Sequence, residues 1–170
     1  GTSLYDLKDL MSAENSVGVV GMSGLAGFDD IELKKKLSGT IAGVYPYINE
    51  TSEGFEGSCI PKDLETMLQL VYLYFTSPRQ DETAFNAYLK LYDGILTNRA
   101  NNPSSALQDT VLVTMAGYHP RVRPMTAELL DEINFKKLHY IFRERFGDPG
   151  NFTFYFVGNI DMEKAEPLIL

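Results

Sequence analysis

The 170 residues contain no tryptophan, a single cysteine and only two histidines. One thiol cannot close an internal disulfide, and without a second cysteine or a histidine pattern nearby Cys59 does not read as part of a zinc site. It reads as a small, buried apolar residue rather than a reactive thiol. Basic residues are in deficit too. Fifteen Lys and Arg against 23 Asp and Glu give a formal charge of −8 and a pI near 4.7, which repels a nucleic-acid backbone. The longest basic run, Lys34-Lys35-Lys36, follows Asp29, Asp30 and Glu32 and reads as a solvated helix face. No window supplies the roughly 18 apolar residues that cross a membrane, and no basic-then-apolar signal opens the chain. The ends, Gly1-Thr2-Ser3-Leu4 and Pro167-Leu168-Ile169-Leu170, read as boundaries of a fragment, so a targeting segment of a parent protein would lie outside them.

What is present is an ordinary globular composition, 44% apolar, enough for one domain with its own core. Leu7, Leu10, Met11 and Val17 recur at helical spacing from Asp6 to about Val20. Gly21 to Gly27 breaks regular structure. Asp29 or Asp30 then caps a short helix through Ile31, Leu33 and Leu37 that stops at Gly39. Ile41 to Ile48 and Glu53 to Ile60 read as an antiparallel hairpin around Asn49-Glu50-Thr51-Ser52, with Pro46 at an edge or bulge and Pro61 opening the next helix. Leu64, Met67, Leu68, Val71, Tyr72 and Phe75 form one apolar stripe of a helix ended by Ser77-Pro78. Asp81 caps a second helix bearing Phe85, Tyr88, Leu89, Tyr92, Ile95 and Leu96, expected to pack with the first as a hairpin or on a common sheet. A third runs from Pro103 to about Gly117. Thr126 caps a short helix, and Phe135, Leu138, Phe142 and Phe146 mark another that stops at Gly147. Phe152 to Val157, aromatic and β-branched, reads as a central strand, and Asp161 as the cap of a last helix. The expected fold class is α+β, helices packed on one side of an antiparallel or mixed sheet.

No constellation in this pattern carries chemistry. His119 and His139 lie in different elements and belong to no H-x-x-E-H pair; His139 reads as a surface or boundary residue and His119 as a loop hydrogen-bonding residue. Gly21-Met22-Ser23-Gly24 matches neither G-x-S-x-G nor G-x-G-x-x-G, which leaves Ser23 without a nucleophile elbow. Gly57-Ser58-Cys59 sits in a strand, where the glycine marks a bulge. Asp6, Asp9, Glu14, Asp63, Glu65, Asp81 and Glu82 could be paired on paper as acid and base, but several fall in first turns of helices, where the dipole favours carboxylates. Arg121, Arg123, Arg143 and Arg145 could gather round a carboxylate, though a salt-bridge role is the simpler reading.

The stretch Gly54-Phe55-Glu56-Gly57-Ser58-Cys59-Ile60-Pro61 and the helix after it to Pro78-Arg79 resemble the hairpin-to-helix core of the pitrilysin/insulinase family of zinc peptidases. Phe152 to Asp161 resembles that family's late strand and terminal helix. The resemblance covers nearly the whole chain and is nearest to large bacterial zinc-protease members, often periplasmic. It implies four homologous domains in two halves that close around a chamber, with an inverted zinc motif, H-x-x-E-H, on the first helix of the active domain and an acidic ligand on a later helix. The corresponding helices here, Asp9 to Gly21 and Ala84 to Leu96, offer Glu14 and Asp93 but no histidine. The resemblance therefore carries over no catalytic, cofactor-binding or metal residue. It implies that residues 1–170 are one degenerate domain, the third, whose sheet lacks its N-terminal strands, with zinc held in another domain of the parent. Expected partners are the parent's other domains and its peptide substrate, with no nucleic acid and no membrane; the expected location is the periplasm or cell envelope. The alternative role is a scaffolding module unconnected with catalysis.

Overall fold

The computed structural model describes residues 1–124 and 126–169. The described residues form seven α-helices and one hairpin: α1 (Leu7–Ser23), α2 (Asp30–Lys36), β1 (Ala42–Ile48), β2 (Glu53–Cys59), α3 (Leu64–Thr76), α4 (Glu82–Ala100), α5 (Pro103–Met115), α6 (Phe135–Phe146) and α7 (Met162–Ile169), with a 3-10 segment at Ala127–Glu132. The expected helices and hairpin are therefore present; Leu170 lies outside the described residues. The caps explain the starts. The Asp6 carboxylate accepts from the Asp9 amide, Asp29 and Glu32 form a capping box, Asp81 accepts from the Thr83 and Ala84 amides, and Asn102 and Asn134 cap α5 and α6. Each satisfies an amide that the helix itself leaves open.

α1 lies at the centre. One face buries Met11 and Val19 with Tyr88, Leu96, Leu129, Leu130, Ile133 and Leu138. The other buries Val20 with Leu25, Val44, Met67, Leu70, Tyr74, Phe142 and Phe146. α4 thus belongs to the first cluster and α3 to the second. The expectation that these two helices pack on each other is corrected: α1 stands between their cores. Small residues let the helices approach. Gly18 of α1 lies under the Tyr88 ring, where a Cβ would come 2.9 Å from Cε2, and the Tyr88 hydroxyl donates to Asn15 Oδ1 at 2.7 Å.

Two further readings are corrected. The stripe expected on α3 is rotated: Leu70 and Tyr74 are buried with Met67, whereas Tyr72 is 65% exposed. The 67/70/74 line faces the hairpin and α6, with Leu64 and Val71 packed against the same cluster. Residues 152–157 are not a strand. The hairpin β1–β2 is a two-stranded sheet, and a strand exists only where a neighbour accepts its backbone hydrogen bonds. Phe152 is held by the rings of Phe55, Phe75 and Phe146 at 5.9, 5.1 and 6.0 Å, and Phe154 meets Phe75 edge-on at 6.2 Å.

His139, expected at the surface or boundary, is 3% exposed. It lies on the α6 face against α1, edge-on to the Phe135 ring at 4.7 Å, and its Nε2 has no hydrogen-bond partner among the described residues. Burial holds its pKa below the ordinary histidine value. The unfolded chain then takes up this proton at a higher pH than the native one, so the contribution to stability is complete above about pH 6.5 and is lost as pH falls. Glu14 acts in the opposite sense. Burial raises its pKa, against Arg121 and Arg123, so its contribution weakens as pH rises. The difference between wild type and His139→Leu in urea melts from pH 7 to pH 5 isolates the histidine. We expect wild type to lose up to about 1.4 kcal/mol per pH unit more than the variant; parallel curves would show that the imidazole stays neutral in both states.

Gly24 ends α1 at φ +84°, and a Cβ there would lie 2.2 Å from the Phe28 carbonyl oxygen. That turn carries Leu25, whose amide donates to Phe28 and whose side chain is 1% exposed. Gly24→Ala is expected to cost at least about 1–3 kcal/mol from conformation alone, read as a lowered urea midpoint with unchanged slope.

Candidate functional site

Most of the residues that sequence pattern makes candidates for chemistry are tied to a structural partner; the buried His139 Nε2 is not. The Ser23 hydroxyl, buried in the last turn of α1, donates to the Val19 carbonyl at 2.8 Å. Cys59 ends β2 half-buried, its thiol pKa raised by burial and by Asp63, the opposite of what activates a nucleophile. His119 lies exposed in the loop after α5, where its Nδ1 accepts from the Arg121 amide at 3.3 Å. His139 is enclosed between α6 and α1. The two histidines therefore have separate surroundings.

The arginines are likewise dispersed. Arg121 donates to the carbonyls of Tyr5 and Thr2 at 2.7 and 2.9 Å, fastening the N-terminal turn. Arg123 forms two 2.8 Å bonds to Glu132, which raise the guanidinium pKa and lower that of the carboxylate. Arg145 lies 3.7 Å from Glu53 of β2. Among the acids, Asp6 and Asp81 cap helices, Asp9 pairs with Lys137 at 2.6 Å, Asp63 accepts the Ile41 amide at 2.8 Å and Glu65 accepts from Gln69 at 3.1 Å. Asp81, held by two amides and Arg79, has its pKa lowered. No group of three or more His, Cys, Asp or Glu among the described residues converges as a metal site. The donor set thus does not fit a zinc ion, which needs three or four converging ligands.

A concave feature lies elsewhere among the described residues. A groove of about 1550 Å³ runs between β2 and residues 151–161, with α3 and α7 completing its lining. Met67, Leu68 and Val71 supply its apolar floor, and Glu65, Lys62 and the Glu53–Arg145 pair stand among its lining residues. Sequence reasoning missed it because each side taken alone reads as a satisfied strand. The signal was the apolar run 152–157, which had no second strand near it in sequence. No helix among the described residues is long and apolar enough to cross a membrane.

No protein-family model matches the chain. Over 111 residues, 64% of the chain, it is 32% identical to the "Zinc protease PQQL-like" of Arabidopsis thaliana, of which the match spans 11%. Its fold superposes on the periplasmic protease PqqL from Escherichia coli with a TM-score of 0.78 at 16% identity, covering 99% of this chain and 19% of that one. It also superposes on a mutant of the ferredoxin protease FusC, solved in complex with Arabidopsis ferredoxin, with a TM-score of 0.72 at 13% identity, covering 93% and 17%. The chain therefore spans between a tenth and a fifth of the length of these proteins. In sequence and in fold it is a partial homologue of the pitrilysin/insulinase-type zinc peptidases, as the resemblance in its hairpin-to-helix core implies.

Proposed function

We propose that these residues are a non-catalytic domain of a zinc endopeptidase, one wall of a chamber that confines a peptide while another domain of the same polypeptide holds zinc and hydrolyses it. The match to part of a PQQL-like zinc protease is the observation that carries the reading. The disposition of the chemically capable side chains supports it. Peptide hydrolysis without a metal needs an activated nucleophile with a base in reach, and here Ser23 is bonded to its own helix and the Cys59 thiol is made harder to ionise. Hydrolysis by zinc needs converging ligands and a bound water, and His119 and His139 occupy an exposed loop and a closed helix interface. What a wall can contribute is position: holding a substrate in a reactive pose is worth orders of magnitude in rate without any chemical group. PqqL is periplasmic, and we extend that location to the parent of this chain.

In the parent enzyme, deleting this domain is expected to leave zinc content unchanged and to lower turnover of long peptides by about tenfold or more, with short peptides affected less. The 170-residue chain alone should bind no stoichiometric zinc by elemental analysis after dialysis and should cleave no peptide in a fluorogenic library. Chelator-sensitive turnover that follows this chain through purification would overturn the proposal. Unchanged kinetics of the truncated, folded parent on both substrates would instead favour a scaffolding role.

A further inference from the structure

From Thr97 to Pro124 no residue is buried, the longest such stretch among the described residues. It holds the end of α4, all of α5 and the loop 116–124. α5 packs chiefly on α4, joined to it by the Arg99–Asp109 ion pair at 2.5 Å, and its Leu107, Leu112 and Met115 remain 65, 54 and 84% exposed. A helix this short is marginal in water unless it buries an apolar face. Asn102 and Pro103 fix its start. Its end runs into Gly117 and Tyr118, both left-handed at φ +61° and +59°. Tyrosine is disfavoured in that conformation and keeps it only where surrounding contacts impose it.

Two arginines supply those contacts. Among the described residues, Arg121 and Arg123 are the side chains of the loop that bond to the rest of the domain. Arg121 donates to the carbonyls of Tyr5 and Thr2, and Arg123 to both carboxylate oxygens of Glu132. Forked bonds from a guanidinium are strong for their number. Glu132 closes a 3-10 segment whose Leu129 and Leu130 are buried, and Glu14 of α1 adds a negative charge that acts on both arginines.

Burial decides which side of these bonds is fixed. Residues 2–4 form a 3-10 turn in which Thr2 is 4% exposed. The amides of Thr2 and Ser3 donate to the carbonyls of Asn49 and Glu50 at 2.8 Å, and the Tyr5 hydroxyl donates to Glu144 of α6 at 2.7 Å. The turn is thus anchored on the hairpin and on α6 without Arg121. The loop has no buried residue to anchor it.

We infer that Arg121 and Arg123 form a latch that closes the loop 116–124 and the C-terminal half of α5 onto the domain, and that this arm opens as one unit while the core around α1 stays folded. Opening it uncovers no core residue, which places it at the low end of the local stabilities within one fold. The device is independent of where zinc is held in the parent protein.

Amide hydrogen exchange read by mass spectrometry on the intact polypeptide tests this. In Arg121→Gln the amides of residues 112–122, which include the bonded amides of Ala116, Gly117, Tyr118 and Val122, should exchange about tenfold or more faster. Those of α1, α6 and Ser3 should be unchanged. Arg121→Lys, one ammonium facing two carbonyls, should fall between. Glu132→Gln weakens the second tie from the other side and should speed the same amides. Chymotryptic cleavage after Tyr118 should rise in step, because it follows the open population. Unchanged exchange over 112–122 in both Arg121→Gln and Glu132→Gln would overturn the inference. Ser3 and the hairpin turn speeding up together with 112–122 would overturn it too, since Arg121 would then fasten the N-terminal turn instead. Faster exchange throughout α1 and α6 would do the same, by making the two ties part of the global fold.

Discussion

The close approach of α1 to α6 is the contact on which the rest of this structure depends. α1 buries Ser12, Ser16 and Ser23 with Ala13 and Val20, a combination that keeps the helix slender where α6 presses Leu138, His139, Ile141, Phe142 and Phe146 inward. Buried hydroxyls are costly unless bonded. Here Ser16 and Ser23 donate to carbonyls of their own helix at 2.8 Å, and the Ser12 oxygen accepts the Asn134 amide at 2.9 Å, just where α6 begins. That last bond sets the position of α6 along α1. Because α1 is buried on both flanks, fixing α6 also fixes the boundary between the cluster of α4 and the cluster of α3 and the hairpin.

From that arrangement follows the anchor of the groove. Phe142 and Phe146 stack at 4.6 Å, Phe146 meets Phe55 of β2 at 5.1 Å edge-on, and both Phe55 and Phe146 receive Phe152. Edge-to-face and tilted rings of this kind add directionality to apolar burial. They hold the start of the 152–157 run beside the sheet without a single ladder hydrogen bond. The core is thus closed on the side of α1 and α6 and open on the side of β2. This asymmetry separates the part of the fold that is self-sufficient from the part that has unmet backbone partners.

Many local signals were legible in the sequence, though Gly21 to Ser23, read as a break, continue α1, and Thr126 makes no side-chain cap bond. Asp29 with Glu32, Asp81, Asn102-Pro103 and Gly147 specify helix ends within a few residues of themselves, and all four boundaries are where those residues imply. The α3 stripe was legible in part: Met67, Leu64 and Val71 pack on the core and Phe75 meets Phe55, but apolar residues occur nearly all round that helix, so periodicity could not show that Leu70 and Tyr74 are buried while Tyr72 is exposed. Only the position of the hairpin decides it. His139 failed for a related reason: a polar side chain on an amphipathic helix reads as exposed, whereas here it is buried against the Phe135 ring. The 152–157 run has strand composition, yet a strand is a relation between two segments, and composition describes one.

The candidate site was legible mainly as an exclusion, and the comparisons explain why that is informative. An identity of 16% with a TM-score of 0.78 means that the path of the chain has outlasted most of its side chains. What such divergence keeps is the pattern that folds: caps, turn glycines, apolar lines. Chemistry is kept only where particular atoms must meet. In this chain Ser23 meets a backbone carbonyl, Asp63 and Asp81 meet backbone amides, and Arg123 meets Glu132, all of them contacts that serve folding. A chain retained on those terms keeps its shape: the caps, turn glycines and apolar lines that fold it.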